Sequence, residues 1–316
     1  MACFDVHAHF APAGMSPALV RSMMAEMKGD GFAGTGPTTR WSPEQAIAFM
    51  DERGIALQLL SMPMAVGVEH ARALNESGAR IVAEHPDRFG LLASLPMFDA
   101  QAAIDEIHHA TGTLHADGFI IATNYSGTYF GDERLEPVWA ELDRLSATVF
   151  VHPVRPRSFD ELGLGRPAPL IEFPMETART IIDAIYAGVF LRHSDMRLVL
   201  AHAGGVLPAL AARILSLGTK SWVANPMGLT REHLRTQLSA LYFDTAIAGT
   251  PASLDAVGAT AGLSHLVFGT DYPPADIDVI DATIADLRNA LDERSLKQLD
   301  STFEHLFPEA AARATV

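Results

Sequence analysis

Short apolar segments alternate along this chain with longer segments of helical periodicity, and the alternation limits the folds open to it. The apolar segments are rich in Val, Ile, Leu and Phe, and they are apolar at successive positions, as strands buried on both faces are. There are eight of them, at residues 4–7, 57–61, 89–94, 118–122, 148–152, 198–202, 242–244 and 266–269. Eight such strands alternating with helices predict an α/β fold of the closed (β/α)8, or TIM barrel, type.

Segments with the spacing of amphipathic helices lie between and after these strands, at residues 43–53, 69–85, 100–111, 133–145, 176–191, 206–217, 251–261, 276–291 and 295–307. An open doubly wound sheet is the structural alternative. Against it, the first strand is not followed by a G-x-G-x-x-G pattern, and the chain has no G-x-x-x-x-G-K-[ST] loop. We therefore expect a single barrel domain over residues 1–316.

Two connections are long for a barrel, at residues 11–42 and 153–175. The second contains five prolines, which favours an ordered loop that arches over a site. The first carries methionines at near-helical spacing, which predict core packing, with a cover over the site or a second subunit as alternatives; they are Met15, Met23, Met24 and Met27.

Composition narrows the classes of partner and compartment. The net charge is −15, which disfavours nucleic acid and anionic membranes as partners. Cys3 is the only cysteine, so no internal disulfide can form, and we expect a cytoplasmic protein. The N-terminal sequence lacks the features of a signal peptide, and the apolar runs are too short to span a membrane.

Four of the thirteen histidines end predicted strands: His7, His9, His152 and His202. The carboxyl ends of barrel strands form one rim, where the active sites of such barrels lie. The other nine histidines lie near predicted helices or begin a strand, where capping or solvation is the expected role; they are His70, His85, His108, His109, His115, His193, His233, His265 and His305.

A metal site is predicted where these strands end. His7 and His9 alternate along a strand and so project to the same face. His152 comes from the opposite side of the barrel, and Asp271 follows the eighth strand, next to the first. Three imidazoles and one carboxylate suit Zn²⁺, with Mn²⁺, Fe²⁺ or Co²⁺ as alternatives. For Asp271 alone, a turn or cap before Pro273 is the structural alternative.

The sixth strand ends at His202, which is followed by Ala203, Gly204 and Gly205. The glycines permit close approach of a substrate or of the backbone. We expect His202 beside the metal as an acid, a base or an orienting group, with a buried structural histidine as the alternative. The fourth strand offers no lysine to bridge two ions, so one divalent metal ion is expected.

These motifs resemble those of the amidohydrolase superfamily, in the branch of aminocarboxymuconate-semialdehyde decarboxylase. The resembling segments are residues 4–10, 41–43, 50–55, 152–153, 202–205 and 269–273. Residues 169–174, followed by Thr177, Arg179 and Thr180, and residues 242–245 are similar to 6-methylsalicylate decarboxylases. A Gly-Asn-Ala segment common near the C-terminus of this family is replaced by Ser301-Thr302-Phe303. The resemblance implies His7, His9, His152 and Asp271 as metal ligands, His202 as the catalytic histidine, and a homodimer.

The implied reaction is non-oxidative decarboxylation of a hydroxylated aromatic acid, such as 6-methylsalicylate, or of a muconate-like acid. Asp271 or His202 would deliver the proton to carbon. Trp41 and Phe173 are candidates to cover the ring, with core packing as the alternative. Arg40 is a candidate to attract the anion, with a solvated surface arginine as the alternative.

Two other functions remain open from the residues alone. The same metal site can activate water against an ester, lactone or amide carbonyl, or add water to a double bond. Alternatively, the barrel is not catalytic and its histidines are structural. The fold and the ligands do not distinguish decarboxylase from hydrolase or hydratase, because one site chemistry serves all three.

Overall fold

The structure is a computed structural model that describes residues 4–11, 25, 28–31, 41–62 and 64–314. Arg40 and the methionines at positions 15, 23, 24 and 27 therefore lie outside the described residues. Among the described residues, no helix combines the length and the apolar character that a bilayer span requires.

Eight parallel strands form one sheet in the order β1 to β8. They are β1 (Phe4–His9), β2 (Leu57–Ser61), β3 (Phe89–Ser94), β4 (Gly118–Ala122), β5 (Thr148–His152), β6 (Arg197–Leu200), β7 (Tyr242–Asp244) and β8 (Leu266–Val267). Backbone hydrogen bonds join the first strand to the last: Val6 N donates to Phe268 O at 3.0 Å, and His9 N donates to Tyr272 O at 2.7 Å. The sheet thus curves into a barrel, and the predicted fold class is confirmed.

Helices follow the strands and cover the outside of the barrel. They are α1 (Pro43–Arg53), α2 (Val68–Glu84), α3 (Ala100–Gly112), α4 (Glu136–Arg144), α5 (Phe159–Leu162), α6 (Ala168–Tyr186), α7 (Val189–Arg192), α8 (Leu207–Leu217), α9 (Arg231–Ser239), α10 (Pro251–Thr260), α11 (Ile277–Ala290), α12 (Glu293–Leu306) and α13 (Pro308–Arg313). Ser42 caps the first of them by accepting a hydrogen bond from Gln45 N.

Two packed regions make up the core. Inside the barrel, alternate strand residues such as Leu59, Phe150 and Val199 meet across the axis. On α12, Phe303 stacks on Phe4 at 4.7 Å between ring centroids and closes the amino-terminal end. The larger region lies between the strands and the outer helices. Because the described residues fill the amino-terminal end of the barrel, a ligand site is expected at the carboxyl ends of the strands.

The segment predicted as a loop at 153–175 departs from that prediction. Helix α6 begins at Ala168, eight residues before the predicted start at 176, and contains Pro174 in its interior. Pro169 lies in the first turn, where a missing N–H costs nothing because that group has no helical partner. Proline content therefore marked the start of a helix here, and the remaining loop is residues 153–158 and 163–167.

Candidate active site

A cavity of about 810 Å³ opens at the carboxyl ends of the strands. His9, His152, His202 and Asp271 reach it from four different places in the barrel. The remaining described lining is largely apolar and includes Met62 on one side. A concave, mostly apolar site with a few converging polar groups is the usual form of a small-molecule site.

The four predicted metal ligands meet at the base of this cavity. One ligand atom from each of His7, His9, His152 and Asp271 lies within 4.8 Å of the others, and all four residues are buried. His7 Nε2 lies 3.1 Å from His9 Nε2. Asp271 Oδ1 lies 3.2 Å from each of these two nitrogens. The structure therefore brings together the ligand set that the strand ends predicted.

A β-bulge in β1 contributes to the aim of the two neighbouring histidines. From Asp5 to Ala8 the first strand advances three residues, while β2 advances two, from Gln58 to Leu60. Such bulges commonly re-aim side chains next to active sites. At the bulge, the Asp5 carboxylate accepts hydrogen bonds from the backbone N–H of His7 and of Thr270, each at 3.0 Å.

Asp5 also fixes the neighbouring elements. It accepts from Gln58 Nε2 at 2.8 Å and from Thr270 Oγ1 at 2.6 Å. Burial raises the pKa of Asp5 to about 6, although these hydrogen bonds oppose the rise. One carboxylate thus ties β1, β2 and the segment after β8 together beside the site.

Hydrogen bonds on Nδ1 leave Nε2 of the three histidines predicted as ligands free to bind a metal. His7 Nδ1 lies 2.5 Å from Asp244 Oδ2, and His152 Nδ1 lies 2.9 Å from Pro153 O. His9 Nδ1 lies 3.0 Å from Ser61 Oγ, which itself donates to Ala8 O. Because the partners of Nδ1 accept, Nδ1 carries the proton of each ring in its neutral form, and Nε2 then keeps a lone pair. This tautomer fits a divalent metal ion.

Three of the four clustered residues already have the charge state of a metal ligand. Burial lowers the pKa of His9, and burial together with the neighbouring imidazoles holds the pKa of His152 well below its usual value. Burial acts against protonation of His7, but the charges of Asp271 and Asp244 outweigh it and raise its pKa to about 10. Burial acts to raise the pKa of Asp271, but His7 outweighs it and holds that pKa well below its usual range. Neutral imidazoles and an ionised carboxylate are the states that ligate metals, so His9, His152 and Asp271 are already in that state, whereas His7 has to lose a proton when a metal binds.

His202 lies beside the cluster on an unusual piece of backbone. The sixth strand ends at Leu200, two residues earlier than predicted, and His202 begins a 3-10 turn. Its ring centroid lies 4.9 Å from that of His7, and its Nδ1 lies 3.3 Å from Ala246 O.

The left-handed backbone of residues 202–205 places this turn against α6. Every residue of this run has a positive φ, including Ala203 at 52°. A Cβ on Gly205 would lie 2.4 Å from Pro174 O, so only glycine fits there. Contact with this helix explains Gly205, whereas a Cβ on Gly204 would lie 2.8 Å from the Phe243 ring of β7.

The three residues predicted to bind substrate differ in where they lie relative to the cavity. Phe173 lines the cavity, with its ring centroid 6.4 Å from that of His152. Trp41 packs between Phe10 and Phe89, at 6.1 and 6.3 Å between centroids, and is not among the described lining residues. Arg40 lies outside the described residues.

Three further residues support the site and were not predicted from the sequence: Asp5, Ser61 and Asp244. Ser61 and Asp244 end β2 and β7, so the strand-end rule that found the histidines also applies to them. Asp244 Oδ1 accepts from Ala203 N at 3.3 Å and from Ala246 N at 3.2 Å. This carboxylate therefore supports both His7 and the turn that carries His202.

Comparison with known proteins relates this arrangement to characterised enzymes. The chain is 33% identical over 299 residues to a 6-methylsalicylic acid decarboxylase of Penicillium expansum, covering 89% of this chain and 87% of that one. It is 33% identical over 293 residues to a 6-methylsalicylic acid decarboxylase of Aspergillus aculeatus, covering 87% and 86%.

Solved structures show the same architecture. The crystal structure of a dihydroxybenzoic acid decarboxylase from Polaromonas sp. JS666, with bound manganese and the inhibitor 2-nitroresorcinol, superposes with a TM-score of 0.81. The two chains are 22% identical, and 97% of each is covered. The family model described as amidohydrolase matches residues 4–313. With nearly the whole chain matched, the protein belongs to the amidohydrolase family.

Proposed function

We propose that this protein is a metal-dependent, non-oxidative decarboxylase of a hydroxylated aromatic acid of the salicylate type. The observation that carries the proposal is the likeness to 6-methylsalicylic acid decarboxylases over almost the whole chain. The apolar cavity above a buried cluster of three histidines and one aspartate is consistent with an aromatic anion as the substrate.

In this proposal, His7, His9, His152 and Asp271 hold one divalent ion. When bound, the ion would hold the carboxylate and the adjacent hydroxyl of the substrate and spread the developing negative charge. The ligand set favours zinc. Manganese is the alternative supported by the Polaromonas enzyme.

The chain itself contributes orientation, exclusion of water and a proton. Phe173 and Met62 line the cavity and can pack against the ring, which displaces water from it. The bond between the ring and its carboxylate breaks, carbon dioxide leaves, and the ring carbon takes up one proton. Asp271 and His202, which both line the cavity, are the groups placed to deliver that proton to the ring carbon.

We also propose that the protein is a cytoplasmic homodimer. A single cysteine supports a reducing compartment, and the family resemblance supports the dimer. Light scattering of the purified protein tests the dimer, since a mass equal to that of one chain contradicts it.

The proposed reaction is tested by carbon dioxide release from a panel of hydroxybenzoates headed by 6-methylsalicylate. The same protein is offered aryl esters and lactones, whose hydrolysis is followed separately. We expect release of one carbon dioxide per phenol formed and no comparable hydrolysis. Hydrolysis without carbon dioxide release would instead assign the site to a hydrolase.

A further inference from the structure

The cavity is much larger than one aromatic ring requires. A benzene molecule is held by a cavity of about 150 Å³, whereas this cavity has a volume of about 810 Å³. The additional space includes a part that we name the apolar extension. Six residues define it: Val206, Pro208, Ala209, Ile247, Ala252 and Ala256.

The apolar extension is continuous with the catalytic end of the cavity. Val206, Pro208 and Ala209 follow His202 along the chain, at the start of α8. Ile247 follows Ala246, whose carbonyl oxygen lies 3.3 Å from His202 Nδ1, and Ala252 and Ala256 lie on the next helix, α10. The residues that form the walls of the extension are therefore chain neighbours of His202 and of its hydrogen-bond partner Ala246.

The chemistry of the extension favours a hydrocarbon occupant. Its walls are formed by small or apolar side chains. Among the described lining residues next to these walls, Ser253 carries a polar side chain. The Ser253 hydroxyl is already paired with the Thr250 hydroxyl at 3.1 Å. A polar group placed here would give up hydration without a ready partner, whereas an apolar group would gain from leaving water.

Ile247 adds an independent observation. It has a φ of 56°, in the left-handed region that β-branched residues rarely adopt. The residue is 52% exposed and lines the cavity. A strained backbone that displays an apolar side chain to a cavity is a feature found at ligand sites.

We propose that the substrate carries on its ring an alkyl chain longer than a methyl group, which lies in the apolar extension. This inference rests on the proposed decarboxylase function and specifies its substrate class. Each methylene of the chain that leaves water for the extension favours binding, so longer chains are preferred over a methyl group. Because Ala209 and Ala252 remain exposed to solvent, the gain per methylene is below that of full burial.

The test uses 6-alkylsalicylates with methyl, propyl and pentyl chains, which release the corresponding 3-alkylphenols. We expect kcat/KM to rise about twofold to threefold per added methylene. The affinity of the 3-alkylphenols, measured by calorimetry, should rise in parallel. Values of kcat/KM and affinity that stay flat or fall with chain length overturn the inference. Loss of activity on the methyl compound as well contradicts the decarboxylase itself, so the two failures are distinguishable.

Filling the extension provides a second test. Ala256→Leu and the more exposed Ala252→Leu should each lower the ratio of kcat/KM for the pentyl compound to that for the methyl compound by at least about fivefold. Ala259→Leu, an exposed change on the same helix outside the described lining, is the matched control and should keep the ratio of the unmodified protein. An unchanged ratio in both filling variants refutes the placement of the chain.

Discussion

Replacing Asp271 by asparagine is expected to lower kcat for carbon dioxide release by about a thousandfold. Asp271 is the only carboxylate among the four proposed ligands, with Oδ1 3.2 Å from Nε2 of His7 and of His9. Asparagine keeps the shape but removes both the negative charge and the ability to carry a proton. The measurement is steady-state kinetics with 6-methylsalicylate at saturating metal, together with the metal content of the variant.

Asp276→Asn is the matched control for this prediction. Asp276 is exposed, lies five residues further along the same connection, and makes no side-chain cap hydrogen bond to α11. The substitution removes the same unit of charge but does not alter the cluster, so kcat of this variant should match that of the unmodified protein. An Asp271→Asn variant that folds and retains more than about a tenth of the activity would contradict the role given to this carboxylate.

Replacing Asp244 by asparagine is expected to weaken metal binding by about 10- to 100-fold. The Asp244 carboxylate is fully buried and accepts from His7 Nδ1 across 2.5 Å. An asparagine NH₂ facing that ring favours the tautomer with the proton on Nε2, the atom needed by the metal. If the amide oxygen faces His7 instead, the NH₂ group faces the backbone N–H of Ala203 and Ala246, and the turn that carries His202 loses its acceptor.

The measurement is a metal titration of the chelator-treated variant, followed by calorimetry. Asp117→Asn is the control, because Asp117 is also a buried carboxylate that accepts from a backbone N–H, that of Leu91, but it precedes β4 at the opposite end of the barrel. That variant should lose stability without losing metal affinity. Equal metal affinity in the Asp244→Asn variant and the unmodified protein would show that His7 needs no carboxylate partner.

Much of this site follows from strand ends alone. His7, His9, His152 and Asp271 were predicted as ligands because each ends or follows a strand, and parallel strands in a barrel bring those ends to one rim. The structure brings all four together. The eight strands were likewise predictable because a strand covered on both faces leaves a continuous apolar run in the sequence.

Other features depend on tertiary contacts that periodicity does not encode. The sixth strand was predicted through His202, but residues 202–205 leave the sheet in a left-handed run packed against α6. The early start of that helix was missed because prolines in its first turns gave the appearance of a loop. Trp41 can cover a ring or fill the core equally well by residue type, and only its packing against Phe10 and Phe89 places it.

Decarboxylation by this protein is expected to require one metal ion, held by this cluster. The most direct measurement is carbon dioxide release from 6-methylsalicylate by chelator-treated protein to which manganese or zinc is returned in known molar ratios. Release should be lost on metal removal and restored to a plateau at one equivalent of metal per chain. Undiminished release from protein shown to be free of metal, or a plateau at two equivalents, would contradict this expectation.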